Sequence, residues 1–544
     1  MTSPTTAPAF ASGVASGDPT ADGVVLWTRV APAQPVAWAV ATDPDLTDVV
    51  ASGTAPPDAE ADGCVHVDVG GLAPSTSYWY RFEAAGIASV VGRTRTARAA
   101  DDDGEVRLGV VSCSAFSAGP FLAYAALAER DVDLVVHLGD VVYDVDGGKR
   151  FRDPEPDEPP RDLAGYRARH AQSRGDADLQ ALLRRHPIVA TWDDHDVAGN
   201  SWRHGADDHD DETDGPWEAR RTAALRAWRE WLPVRLPDPD APERIWRTLP
   251  LGGAADVLVL DTRHDGRDRQ VDTDDADPAA AVRDPARNLV SPAQRAWLHD
   301  GLRTSTAAWR VLANQVVLSP IPFSLPEAVP EAAGRPIGLV VDGAIVNSDQ
   351  WDGYTAERDR LVAVLAEVGD TLVLTGDVHS SWALEVPGPA PEGARVAVEA
   401  VVPAVTSQSF ATIVGADNPV LAGVLVTVLL EQLDHLRWTE LRSPGYAVVA
   451  IDPGRVHTDW WHVDLTGATP ERLAASWSST AGTSTWTEAA APLGERPAPP
   501  APPGPEAAPP APRPRPRIWP RVGAGAAAVV GAVGGAIAFR RRRR

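Results

Sequence analysis

Between residues 105 and 400, apolar runs of strand length alternate with helical stretches such as 121–130, 217–231 and 355–368, and several of the runs stop on side chains that bind metals. Leu108–Val111 leads to Cys113 in VVSCS, and Leu134–Leu138 leads to Asp140 and Tyr143 in HLGDVVYD. The shorter Ile188–Thr191 leads to Asp193–Asp196 in TWDDHD, and Thr371–Thr375 leads to Asp377 and His379 in LTGDVHSSW. Unbroken β-branched runs describe parallel strands buried on both faces, and ligands collect beyond the carboxyl ends of such strands. The pattern restricts this region to the α/β class. Four strand ends presenting Cys, Asp, Tyr and His predict a metal centre.

The 544 residues allow two or three domains. A formal net charge of −25 opposes sequence-independent binding to nucleic acid, which requires lysine and arginine to displace counterions. No nucleic acid is therefore expected as a structural partner. Lys149 is the only lysine, so arginine carries the positive charge; with the abundance of Ala, Pro and Gly this reads as coding bias. Cys64 and Cys113 allow at most one disulfide, and Cys64, inside the strand-like CVHVDV, reads as a small buried residue.

Residues 1–100 read as an all-β sandwich domain. GVVLWTRV and VAWAVAT alternate, and Leu72-x-Pro74-x-Thr76-x-Tyr78 looks like the tyrosine corner of fibronectin-type sandwiches. A catalytic domain is expected over 105–465. Within it Val420–Leu433, too short to cross a bilayer, reads as a packed helix. Residues 490–520, rich in Pro, Ala and Arg, cannot build a core and read as an extended spacer. Val522–Phe539 then gives eighteen uncharged residues before Arg540–Arg544. At a helical rise these cover about 27 Å, enough to span hydrocarbon, so 521–544 is expected to be a transmembrane anchor with an arginine tail. A low-complexity tail is the alternative.

Each candidate residue has a plainer reading beside the functional one. Asp140 is either a ligand or a turn residue, and Tyr143 either a phenolate ligand or a packed aromatic. Together they suit a hard trivalent ion. In WDDHD, adjacent like charges repel unless a cation lies among them. His195 is then a proton donor to a leaving group or a ligand. Asn200 is a neutral oxygen ligand or a cap. Asp377 and His379, two apart past a strand, can aim at one ion, whereas a lone histidine there is more often a satisfied core residue. Cys113 would ordinarily be inert. The acidic stretch His204–Gly215 lacks EF-hand spacing and reads as a solvated loop at the site mouth.

In this order the blocks, with the N-terminal FASGVASGDPTADGVVLWTRV, AWREWLPVR, VLDTR, WRVLANQ and PGYAVVAID, resemble the PhoD-like alkaline phosphatases of the calcineurin-like metallophosphoesterases, over residues 10–465. The resemblance implies a β-sandwich followed by a two-sheet αββα catalytic domain. It implies Fe(III) with Ca2+, and hydrolysis of phosphomono- or diesters by a metal-activated hydroxide without a covalent intermediate. Cys113, Asp140, Tyr143 and His379 match iron-ligand positions, Asp140 as the bridging carboxylate. Asp194 and Asp377 match further ligands or their supports. Asn200, Asp261, Arg263 and Gln315 fall at further site positions that the resemblance implies; Arg263 either holds a phosphate oxygen, as a catalytic residue, or pairs with an acidic neighbour.

One departure accompanies the resemblance. The family is exported by an N-terminal twin-arginine signal, while MTSPTTAPAF has neither a basic n-region nor an apolar h-region. The C-terminal arginines predict a cytoplasmic C-terminus with the enzyme at the cell surface; a cytosolic tail-anchored form is the rival. A phospholipase D-like or teichoic-acid phosphodiesterase is the alternative enzyme, and a tethered surface binding protein the alternative outside enzymes. The sequence sets no oligomeric state.

Overall fold

The computed structural model describes residues 9–30, 35–146, 151–324, 339–389, 393–416 and 418–503. Two large sheets face each other. The first has ten strands, with Val106–Val111, Leu134–His137 and Ile188–Ala190 as parallel neighbours near its middle. The second has seven, with Ala255–Val259, Trp309–Asn314, Thr371–Thr375 and Arg395–Val401 running parallel. These are the runs without polar alternation, and both their faces are buried. Between the sheets Leu108, Val110, Val136 and Leu138 meet Val257, Val311, Leu372, Leu374 and Val398. Helices Leu122–Ala128 and Ala177–Leu183 cover the outer face of the first sheet, and Pro292–Thr304 and Thr355–Val368 that of the second. The architecture is the expected αββα stack.

The N-terminal region is all-β, but its two sheets belong to different bodies. Strands Val36–Ala41, Val49–Ala55, Ser77–Ala84, Ile87–Ala88 and Gly92–Arg95 form a sheet of their own. Val14–Gly17, Val24–Arg29 and Cys64–Val69 instead extend the ten-stranded sheet, with Val14–Gly17 lying parallel to Ile188–Ala190. One core, including Val24, Leu26, Val65, Val67, Tyr80 and Phe82, fills the space between the two layers. The Tyr78 hydroxyl accepts from the Ala73 amide at 2.8 Å, the bond that a tyrosine corner requires. Cys64 and Cys113 are both buried and free.

Val420–Leu433 is less enclosed than expected. The helix Pro419–Gln432 seats Ala422, Leu425 and Leu429 in a core with Trp382 and Leu384, yet Val420, Leu421, Val424 and Leu430 stay exposed. It flanks a sheet edge, so only one of its sides meets another layer. The segment 521–544 lies outside the described residues; among those described, no helix is long and apolar enough to cross a membrane.

Candidate metal centre

Every strand that carries a site residue points its carboxyl end at the same pole. Beyond Val111 the chain turns sharply at Cys113 (φ 58°), and beyond His137 at Asp140 (φ 56°). Asp377 (φ 60°), His379 (φ 52°) and Asn200 (φ 52°) share this left-handed conformation. Non-glycine residues adopt it at a cost of roughly 1–3 kcal/mol each, and such residues cluster where function demands a fixed side-chain direction. Gly139 has φ 110°, and a Cβ there would lie 2.4 Å from that of Asp193. The glycine before Asp140 thus permits the HLGD turn to close against WDDHD.

Among the described residues three groupings of donor atoms result, each with all its members within 4.8 Å of one another: Cys113, Asp140 and His379; Asp140, Asp194 and His195; Asp193, Asp194 and Asp377. Asp140 belongs to the first two and Asp194 to the last two. The Tyr143 hydroxyl lies 3.1 Å from His379 Nε2, beside the first grouping. His379 Nδ1 donates to the Gln408 carbonyl at 2.7 Å, which fixes the tautomer and leaves Nε2 as the nitrogen facing the cluster. Cys113, Asp140, Asp193 and Asp194 are buried, whereas His195, Asp377 and His379 are half-buried and leave one side of the cluster accessible.

Acidic charge is concentrated in the first two groupings. Burial, and then the nearby Asp140 carboxylate, push the Cys113 thiol and the Tyr143 phenol well above their usual pKa values. Burial followed by repulsion from Asp194 does the same to Asp140. Buried acids in this position either take up protons or bind cations. A thiol, a phenol, an imidazole and a shared carboxylate form a donor set suited to a trivalent iron, and the neighbouring oxygens of Asp140 and Asp194 suit a hard divalent ion. The residues therefore fit the two metals that the resemblance implies.

The third grouping differs, because it already holds a cation. Arg263 is fully buried; its Nε donates to Asp193, its two terminal nitrogens to Asp349 at 2.8 and 3.0 Å, and Nη2 to Asp377 at 2.7 Å. Asp194 lies 3.5 Å from the same Nη2. Of the two roles expected for Arg263, this geometry displays the pairing with acidic neighbours. Asp349 was not foreseen, nor was Gln350, whose Nε2 donates to Asp377 Oδ2 at 2.6 Å.

His195 has a partner that sequence reasoning also missed. Its Nδ1 lies 2.7 Å from Asp144 Oδ1, and Arg220 donates to the other Asp144 oxygen at 3.2 Å. The ring stacks on Tyr143 at 4.3 Å between centroids. Burial alone would keep this imidazole neutral, but Asp194, the Asp144 hydrogen bond and Asp140 together raise its pKa well above the usual value. Cations held by Asp140 and Asp194 would cancel those two contributions and leave Asp144 as the lasting one. Asp144 was legible, being the last letter of HLGDVVYD; Arg220, in the first turn of the helix Trp217–Trp231, carried no local signal.

The remaining candidates serve as braces. Asn200 is exposed; its backbone N–H donates to Asp194 Oδ2 at 2.6 Å, and its side-chain amide to Asp207 at 2.9 Å. Asp196 accepts the backbone amides of Asp140, Val142 and Asp193, tying two strand ends together. Asp261 accepts the amides of Arg263 and His264, and Gln315 bridges Thr262 to Thr191 and Trp192. In the acidic stretch, Asp210 caps Asp211–Asp214. Among the described residues none of the donor groupings includes it.

The PhoD-like phosphatase model matches residues 108–460, and the model of the N-terminal domain of such phosphatases matches residues 2–98. The chain belongs to the PhoD-like phosphatase family. It is 35% identical over 397 residues to alkaline phosphatase D of Bacillus subtilis (strain 168), an alignment covering 69% of this chain and 65% of that protein's length. A solved structure described as PhoD superposes with a TM-score of 0.78 at 30% identity, covering 92% of this chain and 95% of that one. The boundary between the two family models falls between the strands of the N-terminal layer and Val106–Val111.

Proposed function

We propose that this PhoD-like chain is a metal-dependent phosphoric ester hydrolase. What supports the reading is the sharing of Asp140 between two donor groupings of unlike chemistry, one with Cys113, His379 and nearby Tyr143, the other with Asp194 and His195. In this reading Fe(III) takes the first set and Ca2+ the second, with Asp377 and Asn200 supporting the second. When bound, the ions would acidify the attacking water and neutralise charge on the phosphoryl oxygens. His195, fixed through Nδ1 by Asp144, turns Nε2 toward the cluster, where it delivers a proton to the departing oxygen. Arg263 balances Asp193, Asp349 and Asp377, and so holds the ligand loops without touching substrate.

The test is hydrolysis of p-nitrophenyl phosphate and bis-p-nitrophenyl phosphate by the full chain loaded with iron and calcium. Turnover is expected, and the ratio of the two rates assigns monoester or diester preference. Folded, metal-bound protein inert on both would favour the binding-protein reading.

His195→Gln is expected to slow esters of aliphatic alcohols about a hundredfold while affecting p-nitrophenyl esters much less, since only a poor leaving group needs the proton. Equal losses on both classes would remove His195 from that role.

Attachment of 521–544 to a membrane rests on composition alone. Sedimentation of the full chain with phospholipid vesicles is expected, and its recovery in the supernatant would overturn the anchor.

A further inference from the structure

The described chain does not come free of the body after its last strand, Thr487–Glu488. From Leu493 to Pro502 every third residue faces inward: Leu493, Arg496 and Pro499 are half-buried and Pro502 is buried, while those between are exposed. A period of three, proline at four of these ten positions and no internal ladder describe a polyproline II ribbon with one ridge against the protein. Its carbonyls are gripped by arginines. Arg107 donates to Gly494 O at 2.7 Å, Arg93 to Pro499 O at 2.9 Å, and Arg184 to Pro502 O at 3.1 Å and Pro503 O at 2.6 Å. In return Arg496 bonds Asp131 and forks onto both Asp133 oxygens at 2.8 and 3.1 Å, and Leu493 N donates to Asp459 at 2.9 Å.

The gripping residues come from separate layers. Arg93 is on the N-terminal sheet; Arg107, Asp131 and Asp133 stand at the amino ends of Val106–Val111 and Leu134–His137; Arg184 precedes Ile188–Ala190. The opposite ends of these same three strands carry Cys113, Asp140 and Asp194. We propose that residues 493–503 are a polyproline II clasp, seated in a groove railed by Arg93, Arg107 and Arg184, which joins the N-terminal layer to the catalytic sheet. The clasp carries the chain as far as residue 503 at the pole opposite the metal centre. Part of the expected spacer is thus a docked segment, and the occupant of the groove is this chain's own ribbon.

A nitroxide on Ala501→Cys in the full chain tests this, the two native cysteines being buried and unlabelled in the parent. An immobilised spectrum, the same at all protein concentrations, is expected. Arg496→Ala with Arg184→Ala should shift the docked-to-free balance at least about tenfold, the equivalent of one charge-assisted hydrogen bond, while phosphoester hydrolysis stays unchanged. A mobile label in the parent would overturn the clasp. Immobilisation that grows with concentration would assign the groove to a second copy's ribbon and overturn the intramolecular reading. A label still immobile in the double variant would overturn the arginine rails.

Discussion

Asp140→Asn is expected to reduce phosphoester hydrolysis at least about a thousandfold, or ~4 kcal/mol of transition-state stabilisation, and to do so through both ions at once. Asp140 is a member of two of the donor groupings, so a neutral amide weakens each of them. Two readouts besides rate follow. Ferric iron bound by the Cys113 thiolate and the Tyr143 phenolate should give the purified protein a visible charge-transfer band, and the variant should lose iron and colour together. Calcium retention should fall in parallel. An Asp140→Asn protein that keeps its colour and its activity would remove the shared carboxylate from the centre of the proposal. A colourless, iron-free parent with full activity would remove the iron.

Arg263→Ala is expected to destabilise the fold by about 3–5 kcal/mol, the range for removing one partner from a buried ionic network. The guanidinium is wholly enclosed, and its loss leaves Asp193, Asp349 and Asp377 facing one another, with Arg267, Gln270 and Gln350 as the remaining side chains that donate to them among the described residues. Urea denaturation of parent and variant measures the difference. The vacated space lies among Asp193, Asp194 and Asp377, so added Ca2+ should recover more stability in the variant than in the parent. If Arg263→Ala instead keeps parental stability while KM rises more than tenfold, the side chain grips substrate, the alternative that the sequence left open.

The strand ends that carry Cys113, Asp140, Asp193–Asp196, Asp377 and His379 were visible in the sequence because a parallel strand buried on both faces advertises itself as an unbroken apolar run, and its carboxyl end is where donors collect. The supporting residues gave weaker signals or none. Asp349 and Gln350 sit in an ordinary polar stretch, VNSDQ, that follows a short hairpin and looks like any solvated turn. Gln408 contributes through its carbonyl, and a backbone group leaves no mark on a sequence. Arg220 reaches Asp144 from 76 positions away, a distance that only folding closes. The docking of the proline-rich ribbon was hidden for another reason. Composition identifies the extended conformation, but the arginines that receive it lie hundreds of residues earlier.

The pairing of Val14–Gly17 with Ile188–Ala190, through Gly17 and Ile188, joins the two family regions within one sheet. Ile188–Ala190 is three residues long and delivers the WDDHD turn; Leu134–His137 holds one of its sides and Val14–Gly17 the other. A chain beginning at residue 105 would leave that flank as a bare row of amides and carbonyls, next to buried Ile188 and Trp27's vacated place, inviting another chain to add itself there. The N-terminal layer therefore acts as a permanent guard on the most acidic strand end of the enzyme, and its removal should yield aggregates in place of a smaller hydrolase.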